Sequence, residues 1–537
     1  MKLSNEGLKK RFEWLEKGYQ LPQYDREKMV AETRENPFWI HFGAGNLFAA
    51  FHAKAAESML NSGTLDRGII AVVSPDYEVY ENHYLAHDTL KIAATLKADG
   101  SIEKTVIGSI AEAVPYDAEK EEYFGRLKEI FVKRSLQFAT FTITEKGYSI
   151  VNPDGSYKED TLTDFVQGPY RPVSYMGKLT ALLYERYKVG QYGLALVSTD
   201  NCSHNGDILK AAVLPYAQAW EEKGMVDSGF VAYINSEKVS FTWSMIDKIT
   251  PRPDRTVEAI LEADGIEDLE PVLTKRGTPI ALFVNAEEAE YLVIEDNFPN
   301  GRPELEKGGF MFADKETVDK VEKMKVCTCL NPIHTALAVF GCVLGYTKIS
   351  EEMKDPELKK LVEVIGYQEG LPVVVNPGIL DPKEFIDTVL TVRVPNPFMP
   401  DTPQRIATDT SQKLPIRFGE TIKAYAASEK LNVSELKCIP LVFAGWLRYL
   451  MGINDNGERF ELSGDPMHKV VCPLVSGIEL GGNADIESMI QPILANEKIF
   501  GADLYEVGLA NIVIQYFSEM LAGPGAIKET LKKHVYE

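Results

Sequence analysis

The sequence predicts an α/β protein in which a doubly wound domain is followed by a mostly helical one. Three observations carry this reading. Buried-strand patterns alternate with helical patterns from Phe38 to Ser198. A glycine-containing turn, Gly43-Ala44-Gly45-Asn46-Leu47, separates the first strand from the first helix of that region. Past residue 300 strand-like runs become rare and long helical patterns dominate.

Residues 1–36 read as a helix and an extended lead-in. Phe38–Phe42 is a short apolar run fit for a buried strand, Ala49–Leu60 has helical periodicity, and Gly68–Val73 is a second buried strand. Together they form a β-α-β unit, the building block of a parallel sheet with right-handed crossovers. Further strands are expected at Thr105–Gly108, Phe138–Ile143 and Gly193–Ser198, with helices at 118–133 and 176–188 between them. The polar stretch Asp296–Pro303 sets the expected boundary, giving a dinucleotide-binding domain at 1–300 and a helical domain at 301–537. In the second part helices are expected at 314–325, 332–345, 356–367, 381–390, 418–428, 439–452, 486–497 and 503–521.

Composition narrows the function classes. With 537 residues, 45% hydrophobic and 25% charged, the chain has the make-up of a soluble globular protein of two or three domains. A formal net charge of -22 argues against nucleic acid and anionic membrane as partners. No apolar run reaches the ~18–20 residues of a membrane span, and the N-terminus has no apolar signal core. The 6 cysteines do not suggest a disulfide framework, and Cys327-Thr-Cys329 lacks a second pair to complete a metal site. No metal is expected, and the reducing cytoplasm is the expected compartment. Nothing in the sequence speaks to oligomeric state.

The candidate chemistry lies at strand ends and in two segments of the second half. In a turn such as Gly43–Leu47 the backbone can approach a pyrophosphate at the helix N-terminus. The third glycine of that fingerprint is replaced by Phe48. Asp76, just past the second strand, is placed to accept hydrogen bonds from ribose hydroxyls, which favours NAD over NADP; the plainer reading is that Ser74 or Asp76 caps the next helix. Glu145 and Lys146, in Thr144-Glu-Lys-Gly-Tyr148, follow a strand end that would line the cofactor crevice, unless the stretch is a solvated turn. Asn201, in Ser198–Gly206, lies among side chains able to hold polyol hydroxyls.

In Lys325–His334, Asn331 reads as a helix N-cap and Pro332 as the first helical residue, with the helix ending near Gly345. Asn331 and His334 then share one face of the first turn. A lysine beside them can exchange a proton with an alcohol or carbonyl oxygen while the other two hold that oxygen. The plainer reading is a capped core helix. Arg405–Arg417 holds Arg405, Asp409, Lys413 and Arg417; Arg405 and Asp409 are spaced as an i,i+4 surface pair, or the cations form a clamp for a carboxylate-bearing substrate.

Taken together, these segments resemble the long-chain mannitol dehydrogenase family. The matching stretches are His41–Asn46, Val106–Ile110, Thr144–Tyr148, Asp200–Asn201 through Gly206, Ser244–Pro251, Lys325–His334 and Arg405–Arg417, in the family's order. The resemblance implies a metal-independent NAD oxidoreductase with a Rossmann-like N-terminal domain. It implies Lys325 as catalytic acid/base, Asn331 and His334 orienting the reacting oxygen, and Arg405 and Lys413 positioning the substrate. Asn201 and Asp247 match family positions near substrate or cofactor. Where the family usually has four residues between the lysine and the asparagine, this chain has five, Val326 to Leu330.

The implied reaction is reversible hydride transfer between nicotinamide and a carbinol carbon of an open-chain sugar acid or polyol. The expected substrate is a hexuronate, D-fructuronate reduced to D-mannonate, with tagaturonate and the mannitol/fructose pair as alternatives. Two other classes stay open: a nucleotide-binding protein that lost its chemistry, and a sugar-acid epimerase that retains NAD.

Overall fold

A computed structural model describes residues 1–274 and 277–536. The chain divides into two compact units, Met1–Lys97 with Ser101–Asp319, and Ala98–Gly100 with Lys320–Glu537.

The first unit is organised by a six-stranded sheet. Its strands are β1 (Trp39–Phe42), β2 (Ile69–Val73), β3 (Ile110–Pro115), β4 (Phe138–Phe141), β5 (Leu194–Ser198) and β6 (Val239–Thr242). They lie in the order β3-β2-β1-β4-β5-β6, every neighbouring pair parallel. That order, with its reversal beside β1, is the doubly wound dinucleotide-binding arrangement, which puts the ligand crevice at the strands' C-terminal ends near β1 and β4. Both faces are covered, so β1, β2, β4 and β5 are buried throughout and read as unbroken apolar runs. Alternation still assigns each side chain to a face. Ile40, Phe42, Ile70 and Val72 join the core beneath helices Glu121–Val132 and Tyr175–Gly190, while Trp39, Ile69 and Ala71 join the core beneath Lys54–Asn61.

Two expectations are corrected here. Thr105–Gly108 does not belong to the parallel sheet: Ile102–Ile107 pairs antiparallel with Lys91–Leu96 in a separate four-stranded sheet. The parallel sheet takes Ile110–Pro115 instead, whose pattern is obscured by Glu112 and Pro115. Both fit because β3 is an edge strand: Glu112 forms an ion pair with Arg126 at 2.9 Å, and Pro115 falls at the strand's end. The second concerns Asp296–Pro303, which does not end the unit. Arg302 stacks 3.5 Å over the Phe312 ring, and Met311–Ala313 pairs with Tyr291–Glu295, which pairs in turn with Ser244–Asp247. These contacts hold the chain in the first unit to Asp319.

The second unit is helical. Its centre is α1 (Asn331–Leu344) packed on α2 (Cys438–Leu450), with α2 also against α3 (Ala510–Met520). Gly445 permits the close approach of α1 and α2, since a Cβ there would come within 2.7 Å of the Phe340 ring. Gly345, at φ 82°, ends α1 by bonding back to Cys342, and the Tyr346 N–H reaches the Gly341 carbonyl at 2.8 Å. At the other end of the core the buried Glu369 carboxylate accepts the N–H groups of Lys437, Cys438 and Ile439 at 2.6, 2.7 and 2.9 Å, capping α2 where negative charge is favoured. The helical run Lys315–Leu344 contains an 18-residue window of mean hydropathy 1.6, but 78% of it is buried inside the protein, as expected of a core helix. Expected helix 503–521 is shorter than read, forming at Ala510–Met520. Expected helices 356–367 and 381–390 each change to π-helical geometry part-way, at Val364–Gly370 and Val389–Arg393.

Candidate functional site

In the first unit the site is built on the ends of β1, β2, β4 and β5. Gly43 follows β1 at φ 90°, and a Cβ there would lie 2.2 Å from the Thr142 carbonyl oxygen, so only glycine fits. Beside Gly45 there is room: a Cβ would meet nothing nearer than 3.8 Å. The Ala49 N–H closes the first helical bond, onto the Gly45 carbonyl at 3.2 Å. The N–H groups of Asn46, Leu47 and Phe48 therefore precede the intrahelical ladder, as the donors of an anion-binding helix start do. The turn thus has the free backbone donors and the open space at Gly45 that an anion such as a pyrophosphate needs.

The Phe48 substitution in the glycine fingerprint has a structural answer. The helix enters through a π-helical segment, Phe48–Ala53, and Phe48 stacks on His41 of β1 at 4.2 Å between ring centroids. Aromatic stacking across a widened helical turn replaces the close backbone packing that a glycine would allow. Behind the turn runs a hydrogen-bond chain with one direction. Trp39 Nε1–H donates to Thr140 Oγ1 at 2.8 Å, and Thr142 Oγ1–H donates to the Gly43 carbonyl at 2.8 Å. His41 bridges them, Nδ1 to Thr140 at 2.7 Å and Nε2 to Thr142 at 2.9 Å. Thr142 has spent its one proton on Gly43, so His41 Nε2–H must donate to it and Nδ1 must accept from Thr140. Complete burial, with His52 as the lesser cause, pushes His41 well below the usual imidazole range, which keeps it the neutral tautomer this chain requires.

Asp76 is 7% exposed at the N-cap position of Tyr77–Tyr80, yet its side chain makes no capping hydrogen bond. That removes the capping explanation for its carboxylate. Glu145 and Lys146 are exposed on the short helix Thr144–Tyr148 beyond β4. Asp200 positions that helix: its carboxylate accepts Ile143 N–H at 2.8 Å, Thr144 N–H at 2.9 Å and the Tyr148 hydroxyl at 2.6 Å. Asn201 is exposed just past β5, while Asn205 is fully buried and ties the loop to Ser244 at 2.9–3.1 Å. Asp247, 6% exposed, ends strand Ser244–Asp247. The role of Asp200 and the His41 chain escape a reading of the sequence. The available signal for the latter was two threonines spaced by one residue, Thr140 in β4 and Thr142 just past it, opposite a histidine in β1.

In the second unit Lys325 is buried, 5% exposed, and opens a π-helical turn, Lys325–Cys329, whose Leu330 N–H bonds back to the Lys325 carbonyl at 3.1 Å. A π turn accommodates one residue more than an α turn and is common at functional sites. It absorbs the fifth residue between Lys325 and Asn331 without unwinding the helix. This turn also corrects the capping expectation. It ends on Leu330, which occupies the N-cap position at φ -126°, so Asn331 is the first helical residue and caps nothing. Among the described residues the Asn331 side chain has no hydrogen-bond partner, while its carbonyl accepts the Thr335 hydroxyl at 2.9 Å. Asn331 and His334 are both half-buried on the first turn of α1. Cys327 and Cys329 are thiols pushed up to about 11 and about 12 by burial, and no cluster of three or more His, Cys, Asp or Glu able to hold a metal occurs among the described residues.

The cationic segment folds differently from the expected pair. Arg405 is exposed and forms its ion pair with Asp401, not Asp409. Asp409 instead takes a left-handed conformation, φ 55°, at the start of helix Thr410–Leu414, and that turn carries it away from an i,i+4 register. Lys413 donates to the carbonyls of Ile406 and Thr408 at 2.8 and 2.5 Å. Burial lowers it to about 8, with Arg417 the next cause and Asp409 opposing. Arg417 donates to the Thr335 hydroxyl at 2.6 Å. Its segment, Pro415–Gly419, is another π-helical turn and packs against the one bearing Lys325.

Comparison with known proteins supplies the family. Residues 38–307 match the mannitol dehydrogenase Rossmann domain and residues 317–521 the mannitol dehydrogenase C-terminal domain. The D-mannonate oxidoreductase of Thermotoga maritima is 48% identical over 537 residues, 100% of this chain and 99% of that protein. The D-mannonate oxidoreductase of Escherichia coli is 29% identical over 452 residues, 83% of this chain and 85% of that one. A ternary complex of Pseudomonas fluorescens mannitol 2-dehydrogenase with NAD and D-mannitol superposes with a TM-score of 0.66 at 25% identity, covering 99% of both chains. A substrate-free D-sorbitol dehydrogenase shares the fold with a TM-score of 0.79 at 24% identity. The strand order, the glycine turn, the lysine–asparagine–histidine turn and these matches over nearly the whole chain make the protein a member of the mannitol dehydrogenase family.

Proposed function

We propose that this protein is an NAD-dependent hexuronate reductase that interconverts D-fructuronate and D-mannonate. The observation that carries the substrate is the 48% identity, end to end, with a D-mannonate oxidoreductase. The chemistry is supported by Lys325, Asn331 and His334 arrayed on the π turn and first helical turn of the second unit. When bound, NADH supplies the hydride to the keto carbon. Lys325 gives its ammonium proton to the carbonyl oxygen during reduction, and in neutral form takes the hydroxyl proton during oxidation. Asn331 and His334 hydrogen-bond the oxygen on which charge develops. Arg405 and Lys413 position the substrate, and Asn201 and Asp247 match family positions near substrate or cofactor. Gly43, Ala44, Gly45, Asn46 and Leu47 hold the pyrophosphate, Asp76 the adenosine ribose, and Glu145 and Lys146 flank the cofactor. The tagaturonate and mannitol readings keep the same machinery: tagaturonate differs from fructuronate in the configuration of one hydroxyl, and the mannitol/fructose pair has CH₂OH in place of the carboxylate. None of the six cysteines forms a disulfide, which suits a reducing cytoplasm.

The test is turnover of D-mannonate with NAD by wild type and Lys325→Ala. General acid–base catalysis contributes about 100-fold or more, so the variant is expected to lose at least that in kcat while still binding NADH. Wild-type turnover in the variant would remove Lys325 from the mechanism.

A further inference from the structure

The cations of the second unit are unequally compensated. Arg405 has Asp401. Lys413 is held by two backbone carbonyls. Arg417 forms no ion pair with any described residue; its one hydrogen-bond partner is the neutral Thr335 hydroxyl at 2.6 Å. A guanidinium offers five N–H donors in a fork matched to a carboxylate, so most of its donors are unspent. Burying a cation without an opposite charge is costly, and here burial draws Arg417 down to about 10 while Lys413 is repelled by it. A protein gains from such a pair only when an anion completes it.

The position identifies the anion. The turn carrying Arg417 packs on both the turn carrying Lys325 and the start of α1. Thr335, which Arg417 touches, lies one helical turn beyond Asn331, about 6 Å along the axis at 1.5 Å per residue. In D-mannonate four carbon–carbon bonds separate the reacting carbinol carbon from the carboxylate carbon, a reach of about 5 Å when extended with bonds of ~1.5 Å. An oxygen held by Asn331 and His334 thus leaves the far end of a six-carbon acid near Arg417.

We infer that Arg417, oriented by Thr335 and backed by Lys413, is the residue that binds the substrate's carboxylate and selects hexuronate over the neutral ketose. This rests on the hexuronate reading and names the group that enforces it.

The experiment compares D-fructuronate with D-fructose, whose chain ends in CH₂OH where fructuronate has its carboxylate, on wild type, Arg417→Met and Arg417→Lys. Methionine keeps the aliphatic stem packed and removes the charge. The expected result is a loss of about 100-fold in kcat/KM for fructuronate, as for a charged group paired through two hydrogen bonds, mostly in KM, with the fructose rate within three-fold of wild type. Arg417→Lys should fall between, because lysine restores charge without the fork. Equal losses on both substrates would make Arg417 structural and overturn the inference, as would an unchanged fructuronate KM. A second readout separates this from failure of the reaction itself. The thermal midpoint of the intact protein is measured with D-mannonate and with D-mannitol. Stabilisation by mannonate alone, lost in Arg417→Met, supports the carboxylate site even if fructuronate is not turned over; no preference for mannonate overturns it.

Discussion

Gly43 keeps its strained φ because Thr142 holds its carbonyl and leaves no room for a side chain. The chain of donors behind it makes Thr142 the point where the cofactor turn can be loosened without touching the cofactor. Thr142→Val preserves shape and removes the hydroxyl. A neutral hydrogen bond contributes about 1 kcal/mol, so NADH Kd is expected to rise about five-fold, with kcat within two-fold of wild type. Thr142→Ser should restore Kd. Fluorescence titration of NADH checks this, and an unchanged Kd in the valine variant would mean the turn is set by its glycines alone. At the same scale, Phe48 shows how a motif can depart from pattern and still serve. Its ring rests on His41, so its cost in the fingerprint is met by stacking.

The one extra residue between Lys325 and Asn331 is absorbed by π geometry, in the turn that bears Lys325. Counting along the sequence, moving the lysine one residue toward Asn331 would restore the usual family spacing. In space it would rotate the amine by about 100° around the helix. The exchange Lys325→Val with Val326→Lys is therefore expected to be as inactive as Lys325→Ala, with an unchanged thermal midpoint. Activity at or near wild type would show that the spacing, not the bulge, positions the amine. The same element marks where the sequence stops being legible. The parallel strands β1, β2, β4 and β5 were readable because burial on both faces makes them uninterrupted apolar runs. Edge strand β3 was not, because an edge tolerates Glu112 and Pro115. In the candidate site, the helix after Pro332 could be read from the sequence, but not the capping at Asn331 or the partner of Arg405. Both depend on local turns, the π turn before Leu330 and the left-handed Asp409, that leave no periodic signature.

At the scale of the whole molecule, each of the two units carries its own part of the candidate machinery. The first presents a dinucleotide-binding crevice edge of strand ends and a glycine turn, and its sheet order alone predicts what class of ligand it takes. The second presents the π turn that bears Lys325 and the cationic turn that bears Arg417, both on packed helices. With a formal net charge of -22, the protein as a whole repels an anionic substrate, so selection for a sugar acid has to come from local cations rather than the global field. Hexuronate specificity is accordingly the claim on which the account turns. The most direct test follows NADH absorbance at 340 nm with the purified protein and a panel of D-fructuronate, D-tagaturonate and D-fructose. The account predicts rapid oxidation with fructuronate and slow but measurable oxidation with the other two. Preference for fructose would contradict it, moving the protein to the polyol branch of its family and leaving the cations of the second unit without a carboxylate to bind.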